Sequence, residues 1–393
     1  MKLLGIEPTP SPNTMKLNVS EKLPAGQRAS YAPAGAAGAP EPLRSLLGIE
    51  GVRGLFRTAD FIALDRKPGA DWERILAEAR RVLASGDEAL GGQAAGAAGA
   101  GPGASEAFGE AHAFVQLYRG IPMQVRVRPQ GGAEARAAMP ARFAEAVTKS
   151  AASSMIRERM LEELGVRYGE PEEIAAELVK ELDAAYPQER LDALTAAAIA
   201  LGGGDAAAAE PAARPAPLTA EQLAERLASP DWSVRYEALT RTAPEPAMLP
   251  LLAKAISDDN VSIRRLAVVY LGELRLPEAM PLLFAALRDT SASVRRTAGD
   301  TLSDLGDPAA IPPMIEALRD RNKLVRWRAA RFLYEVGDDS SAEALRAAAA
   351  DPEFEVSLQA RIALERIERG EEAAGSVWQQ MTQSRDKQSG TNQ

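Results

Sequence analysis

Along residues 218–370 the apolar positions fall into a stripe that returns at a fixed interval. Counted from a Val or Ile, offsets 0, 4, 8 and 11 are Ile263, Ala267, Leu271 and Leu274, then Val294, Ala298, Leu302 and Leu305, then Val325, Ala329, Leu333 and Val336. At about 100° per residue these offsets share one narrow helical face. Gly306 and Gly337 follow as helix stops. A second apolar stretch, such as 311–319 with Ile311, Met314, Ile315 and Leu318, predicts a second helix in each unit. The frame is Asp-x-x-x-x-(Val/Ile)-Arg-x-x-Ala, and it repeats every 31 residues, starting at Asp258, Asp289 and Asp320. A degenerate copy starts at Asp351 and has Ser357 in place of the arginine. An earlier copy, with Val234, Arg235 and Ala238, lies 29 residues upstream and has Ser229 in place of the aspartate. Neither helix of a pair can bury its face alone, so the pairs must stack, and five copies exceed the ~3 that such a stack needs.

Upstream the period changes. Residues 15–19, 28–31, 52–58 and 61–65 read as short strands, the last two joined tightly at Ala59-Asp60 as a hairpin. Residues 42–49 and 72–84 read as helices. The second is capped by Asp71 and carries Ile75, Leu76, Ala79, Val82 and Leu83 at helical spacing. Residues 113–118 and 123–128 alternate: Met123, Val125 and Val127 share one face, and Gln124, Arg126 and Arg128 the other. They predict a hairpin or two adjacent strands. Helices are predicted over 140–150, 152–164, 171–185 and 188–201, with Gly165 just past a helix end.

Residues 91–105 and 202–217 are Gly/Ala/Pro-rich, with almost no large apolar side chain to offset the entropy of ordering. As linkers they leave domains at 1–90, 106–201 and 218–370, followed by a polar tail at 371–393 that is expected to be disordered. The net charge of −9 disfavours a global pull toward DNA or an anionic membrane. No stretch of ~18 apolar residues is present and the N-terminus lacks a secretory apolar run, so the expected location is cytoplasmic, with no membrane partner. The absence of cysteine removes thiol chemistry and Cys-ligated zinc or iron–sulfur clusters. A single histidine, His112, excludes a two-histidine metal site within one chain.

Three stretches resemble known families. Glu7-Pro8-Thr9-Pro10-Ser11-Pro12-Asn13-Thr14-Met15-Lys16-Leu17 is similar to the N-terminal signature of Nfu/NifU-type scaffold proteins, with Ser11 where Asn is usual; Ile49 to Val52, Asp60 to Ile62 and Asp71-Trp72 extend the match. That family's iron–sulfur chemistry depends on a Cys-x-x-Cys in a separate domain, so the resemblance implies the module's fold and not cluster assembly. The 31-residue units resemble HEAT-like repeats. Gln116 to Val125 resembles the middle region of the conserved virulence factor C family, which joins an Nfu-type N-terminus to C-terminal HEAT repeats in the same order. The fold class expected is therefore multidomain: a small α+β Nfu N-terminal-like domain, a mostly helical α+β middle domain and an all-α HEAT-like solenoid. The resemblance implies a role in bacterial virulence or its regulation, but no reaction.

The recurring Asp258, Arg264, Asp289, Arg295, Asp320 and Arg326 read as a structural ladder between repeats, because a residue needed in every repeat solves a problem every repeat has. Recognition belongs on positions that vary. Offsets 2, 6 and 9 lie opposite the apolar stripe, and there Arg265, Arg296, Trp327, Arg331 and Tyr334 offer the aromatic and arginine groups that dominate interfaces. They are the expected partner-binding residues on an exposed helix face. Glu7, Thr9, Asn13 and Thr14 form a candidate ligand loop, or else a rigid proline-fixed turn. Arg119, Arg126 and Arg128 are candidate phosphate ligands, or else a solvated strand face with a loop arginine.

No catalytic constellation, metal site or cofactor motif is visible. The expected function is a non-enzymatic adaptor that binds a protein partner through the HEAT surface, linked to virulence regulation. The alternative is an accessory factor in iron or iron–sulfur metabolism, with iron held weakly by carboxylates. A third reading, on the pattern of HEAT-like repeat proteins that act on bilins, is lyase activity. Partner identity and oligomeric state have no signature in the sequence.

Overall fold

The computed structural model describes residues 1–8, 13–24, 27–67, 70–83, 110–129, 133–151, 158–201 and 215–370. Thr9, both linkers over most of their length, residues 152–157 and the tail at 371–393 lie outside the described residues. The chain forms two compact units: one holds the N-terminal sheet, and the other holds the middle sheet together with the repeats.

Alternation builds the first sheet. β2 (Thr14–Val19) and β5 (Phe61–Arg66) bury every second residue, so Met15, Leu17 and Val19 share a core face with Ile62 and Leu64. The antiparallel order is β1-β2-β5-β4-β3, with β3 at Arg28–Tyr31 and β4 at Val52–Thr58. α1 (Leu43–Leu47) and α2 (Trp72–Leu83) supply Leu43, Leu46, Trp72 and Ile75 to the core, each at most 1% exposed. β1 (Leu3–Pro8) was not expected as a strand. It is held by β2, with Glu7 opposite Lys16.

The middle block carries a four-stranded sheet of order β8-β7-β6-β9: β6 (Glu110–Tyr118), β7 (Ile121–Pro129), β8 (Ala135–Ala138) and β9 (Arg159–Tyr168). Ala111, Ala113, Val125 and Val127 turn inward against α3 (Ala141–Ser150), α4 (Pro171–Ala185) and α5 (Gln188–Ala200). The helix expected over 152–164 is corrected here, because residues 159–168 form the edge strand β9. Met160, Leu161 and Leu164 mimic helical spacing, but pairing with β6 decides the conformation. Gly165, expected past a helix end, sits inside β9 at φ +91°, a left-handed angle that a side chain rarely adopts.

Ten helices follow in five pairs: α6 (Ala220–Arg226) with α7 (Trp232–Thr240), α8 (Leu249–Ala255) with α9 (Val261–Leu274), α10 (Met280–Ala286) with α11 (Ala292–Leu305), α12 (Ile311–Ala317) with α13 (Lys323–Val336), and α14 (Ala342–Ala348) with α15 (Phe354–Glu368). The offsets 0, 4 and 8 are buried throughout: Ile263, Ala267 and Leu271, Val294, Ala298 and Leu302, Val325, Ala329 and Leu333 are each at most 2% exposed. Asn260 and Asn322 cap the long helices by accepting from backbone N–H groups, and Gly306 ends α11 in the left-handed region at φ +62°. Gly337 also ends its helix, but in extended backbone.

Candidate functional site

The conserved spacing of aspartate and arginine within each repeat becomes a contact between repeats. Arg264 donates through Nε and Nη2 to both carboxylate oxygens of Asp289, at 2.7 and 2.9 Å, while its Nη1 donates to the carbonyl of Asp258 at 2.9 Å. Arg295 does the same to Asp320 at 2.7 and 2.9 Å, Arg326 to Asp351 at 2.7 and 3.0 Å, and Arg235 to Asp258 at 2.7 and 2.8 Å. Asp258, Asp289 and Asp320 also accept from the backbone N–H two residues on, as Asp289 does from Ser291 at 2.7 Å. Paired bonds in a fixed plane set both spacing and rotation between neighbours. The degenerate ends follow from this polarity. Ser229 opens the first copy, which has no repeat arginine before it, and Ser357 closes the last, which has no repeat aspartate after it.

The residues expected on an exposed face are corrected by the structure. Arg296, Trp327 and Arg331 are 3%, 4% and 5% exposed, and Tyr334 is partly buried against the core. The middle block packs on this side of the repeats, with α4 against α7. Arg265 reaches Glu181 of α4 at 3.4 Å, and Arg167 of β9 reaches the same carboxylate at 3.2 Å. Arg296 lies over the ring of Tyr168, also in β9, with 4.0 Å to the centroid, and has Trp327 at 5.8 Å. Arg296 pairs with Asp300, which Arg328 also contacts at 2.5 Å; Arg331 pairs with Glu335 at 2.7 Å and lies 5.3 Å from the ring of Tyr334. Arg265 and Arg296 therefore meet a different surface, that of the middle block.

Burial alone would push the Glu181 carboxyl up, but Arg265 and Arg167 outweigh it and hold the group below the usual carboxylate range; Ser262 and Tyr236 hydroxyls add hydrogen bonds. Glu177, one turn earlier, is pushed up by burial and by Glu181. Burial also pushes Asp304 up. Glu181 was not singled out in the sequence, although a signal existed: it continues the apolar stripe of Ile174 and Leu178, where a carboxylate has no reason to be unless it is paired.

The N-terminal candidate loop is tied to its own sheet. Asn13 is 3% exposed and its Oδ1 accepts from Arg66 Nε at 3.1 Å, while Thr14 Oγ1 donates to Asp65 at 2.6 Å. Glu7 contributes backbone to β1, and Thr9 is outside the described residues. Of the candidate phosphate ligands, Arg119 is used internally: it bridges Glu158 at 2.5 Å and the carbonyl of Ala198 at 2.6 Å. Among the described residues no group of three or more His, Asp or Glu side chains is placed to hold a metal ion, and no helix is long and apolar enough to cross a membrane. On the ladder side, an open groove of about 470 Å³ runs between the α10–α11 and α12–α13 turns, lined by Phe284, Leu287, Thr290, Pro313, Arg319 and Arg321 among others.

Comparison with known proteins agrees with this domain order. Residues 4–87 match the family described as scaffold protein Nfu/NifU N terminal, residues 116–195 the virulence factor family, and residues 220–303 and 280–365 HEAT repeats. YpgR of Bacillus subtilis (strain 168) is 54% identical over 98% of this chain and 100% of its own length. Conserved virulence factor C of Staphylococcus aureus (strain MRSA252) is 43% identical over 97% of this chain and 99% of its own. Among solved structures, the protein SAV1430 from Staphylococcus aureus is 33% identical, covering 21% of this chain and 98% of that one, with a TM-score of 0.20. Sequence identity along nearly the whole length, together with the three domains in the same order, places the chain in the conserved virulence factor C family.

Proposed function

We propose that this protein is a non-enzymatic adaptor that binds a protein partner through the outer surface of its HEAT repeats. The observation that carries the reading is the register lock. Four bidentate bridges fix five helix pairs at one spacing, as an extended recognition surface requires. The inner row, offsets 2, 6 and 9, has Arg296, Trp327 and Arg331 buried, so the recognition surface is assigned to the ladder side. There the groove is lined by the apolar Phe284, Leu287 and Pro313 together with Arg319 and Arg321. A link to virulence regulation follows from the relatives' name alone.

The test is affinity capture from the native bacterium with the full chain as bait, set beside an Arg319→Glu/Arg321→Glu variant. The expected result is a reproducible partner that the variant loses while keeping its melting temperature. A capture pattern unchanged by the double substitution overturns the assignment of this groove, and no reproducible partner under crosslinking overturns the adaptor reading.

A further inference from the structure

The middle sheet packs α3, α4 and α5 against the face that carries Ala111, Ala113, Val125 and Val127. Its other face carries the chain's single histidine and a cluster of cations that the repeats do not use. From β6, His112 and Phe114 stand with ring centroids 6.4 Å apart and planes 22° from parallel. From β7 and β8, Arg126 and Arg136 are direct cross-strand partners, a like-charge juxtaposition that costs stability unless something compensates it.

The compensation is one carboxylate. Glu134 accepts from Arg126 Nε at 2.8 Å, Arg128 Nε at 2.5 Å and Arg136 Nε at 2.6 Å. Three arginines held at a single carboxylate leave a local surplus of positive charge on a chain whose net charge is −9. Glu163 is already on His112 at 2.9 Å. Arg128 and Arg136 reach Glu134 through Nε, so their terminal Nη groups have no protein partner among the described residues, and their side chains are 43% and 59% exposed. The guanidinium carbon of Arg128 also lies 4.8 Å from the centre of the Phe114 ring. Exposed guanidinium N–H groups beside an aromatic ring on an antiparallel sheet are the elements that hold an unpaired base and its flanking phosphates.

We propose that this sheet face binds single-stranded RNA, with phosphates on Arg128 and Arg136 and a base stacked at Phe114. An acidic peptide would satisfy the arginines but leaves the ring without a role, which is why RNA is preferred. The inference does not depend on the adaptor reading, since none of these residues belongs to the repeats. Of the three arginines noted in the sequence, Arg126 and Arg128 belong to this face and Arg119 does not; Arg136 completes the set.

The test uses the full chain with fluorescein-labelled decamers of uridylate and adenylate, followed by anisotropy from about 50 to about 200 mM salt. Wild type is expected to bind saturably. Arg128→Gln/Arg136→Gln is expected to bind at least about tenfold more weakly and to flatten the log–log salt slope by about 1.4, the loss of two single-strand phosphate contacts. Phe114→Ala is expected to lose about tenfold with the slope unchanged. Circular dichroism confirms the fold of each variant, and the exposed Arg136→Gln alone serves where the double variant is unstable. Absence of saturable binding by wild type overturns the proposal. So does affinity unchanged in all variants, or displacement by poly-glutamate of equal charge with no effect of Phe114→Ala, which marks a general anion patch.

Discussion

Arg295 in the third helix pair holds Asp320 in the fourth through Nε–Oδ2 and Nη2–Oδ1 bonds of 2.7 and 2.9 Å, and a third bond ties the same guanidinium to the carbonyl of Asp289 in its own pair. One side chain thereby measures the distance between two repeats. With Arg295 4% exposed and the Asp320 side chain 10% exposed, its removal strands a carboxylate away from water. Arg295→Ala is expected to lower the unfolding free energy by about 3 kcal/mol. The control is Arg288→Ala, which breaks an ion pair to Glu316 with both side chains more than 60% exposed and is expected to change stability by at most about 0.5 kcal/mol. Urea denaturation of both compares the two effects, and equal losses would mean that the ladder is ornamental.

Glu181 ties two cations of the second unit together, and its effect has a sign in pH. Its folded value lies below the unfolded one, so its contribution is present above the unfolded carboxylate range near about 4.3 and is lost as pH falls through the folded value. Glu181→Gln is expected to destabilise at neutral pH by a few kcal/mol and to make the acid side of the stability curve shallower. Thermal melts between neutral pH and about pH 3 check it. A wild-type and a variant curve that differ by a constant would refute the assignment.

Trp327 is interior, so its truncation acts on folding. Trp327→Ala is expected to cost about 3–5 kcal/mol, read as a drop in the urea midpoint. A stable Trp327→Ala protein would show that the inner row is open in solution.

Close approach of α9 and α11 depends on Gly272. A Cβ there would lie 2.3 Å from Thr301 Cγ2, which no small shift accommodates. Gly272→Ala is expected to destabilise by about 1–3 kcal/mol despite the better helix propensity of alanine. Thr301→Ser removes the opposing methyl and is expected to restore most of the loss in the double variant. Additive effects would locate the strain elsewhere.

Glu134 is held at about 2, chiefly by the Arg128 hydrogen bond, against desolvation, with Arg126 and Arg136 adding to it. Its folded value is depressed, so the cluster keeps its charge balance down to about pH 2 and loses it below. Side-chain NMR titration is expected to show the Glu134 midpoint rising in Arg128→Gln. A midpoint near the ordinary glutamate value in wild type would show that the three arginines do not converge in solution.

The repeats were legible because their signal is local. Ile263, Ala267 and Leu271 recur within one helix, and the stripe needs no knowledge of the rest of the chain. The bridging role of Arg264 was legible for the same reason, since its partner Asp289 opens the next copy of the same frame. β9 was not legible: Arg159 to Tyr168 carries leucines at helical spacing, and only β6, which ends at Tyr118, decides its form. The inner row failed for a related reason. Arg265 and Arg296 point away from their own core, and a single repeat cannot reveal that Glu181 and Tyr168 meet them. Helical periodicity separates core from non-core positions, but it does not distinguish solvent from a second domain.

The serines at the two ends of the ladder make the array directional. Guanidinium always reaches forward and carboxylate always receives from behind, so any internal 31-residue unit carries one complete plug and one complete socket. Such a unit could be copied or excised in the interior without breaking the ladder. Lengthening the array at either end would require new residues at Ser229 or Ser357 first. The protein can therefore change its reach by whole interior units while both ends stay fixed.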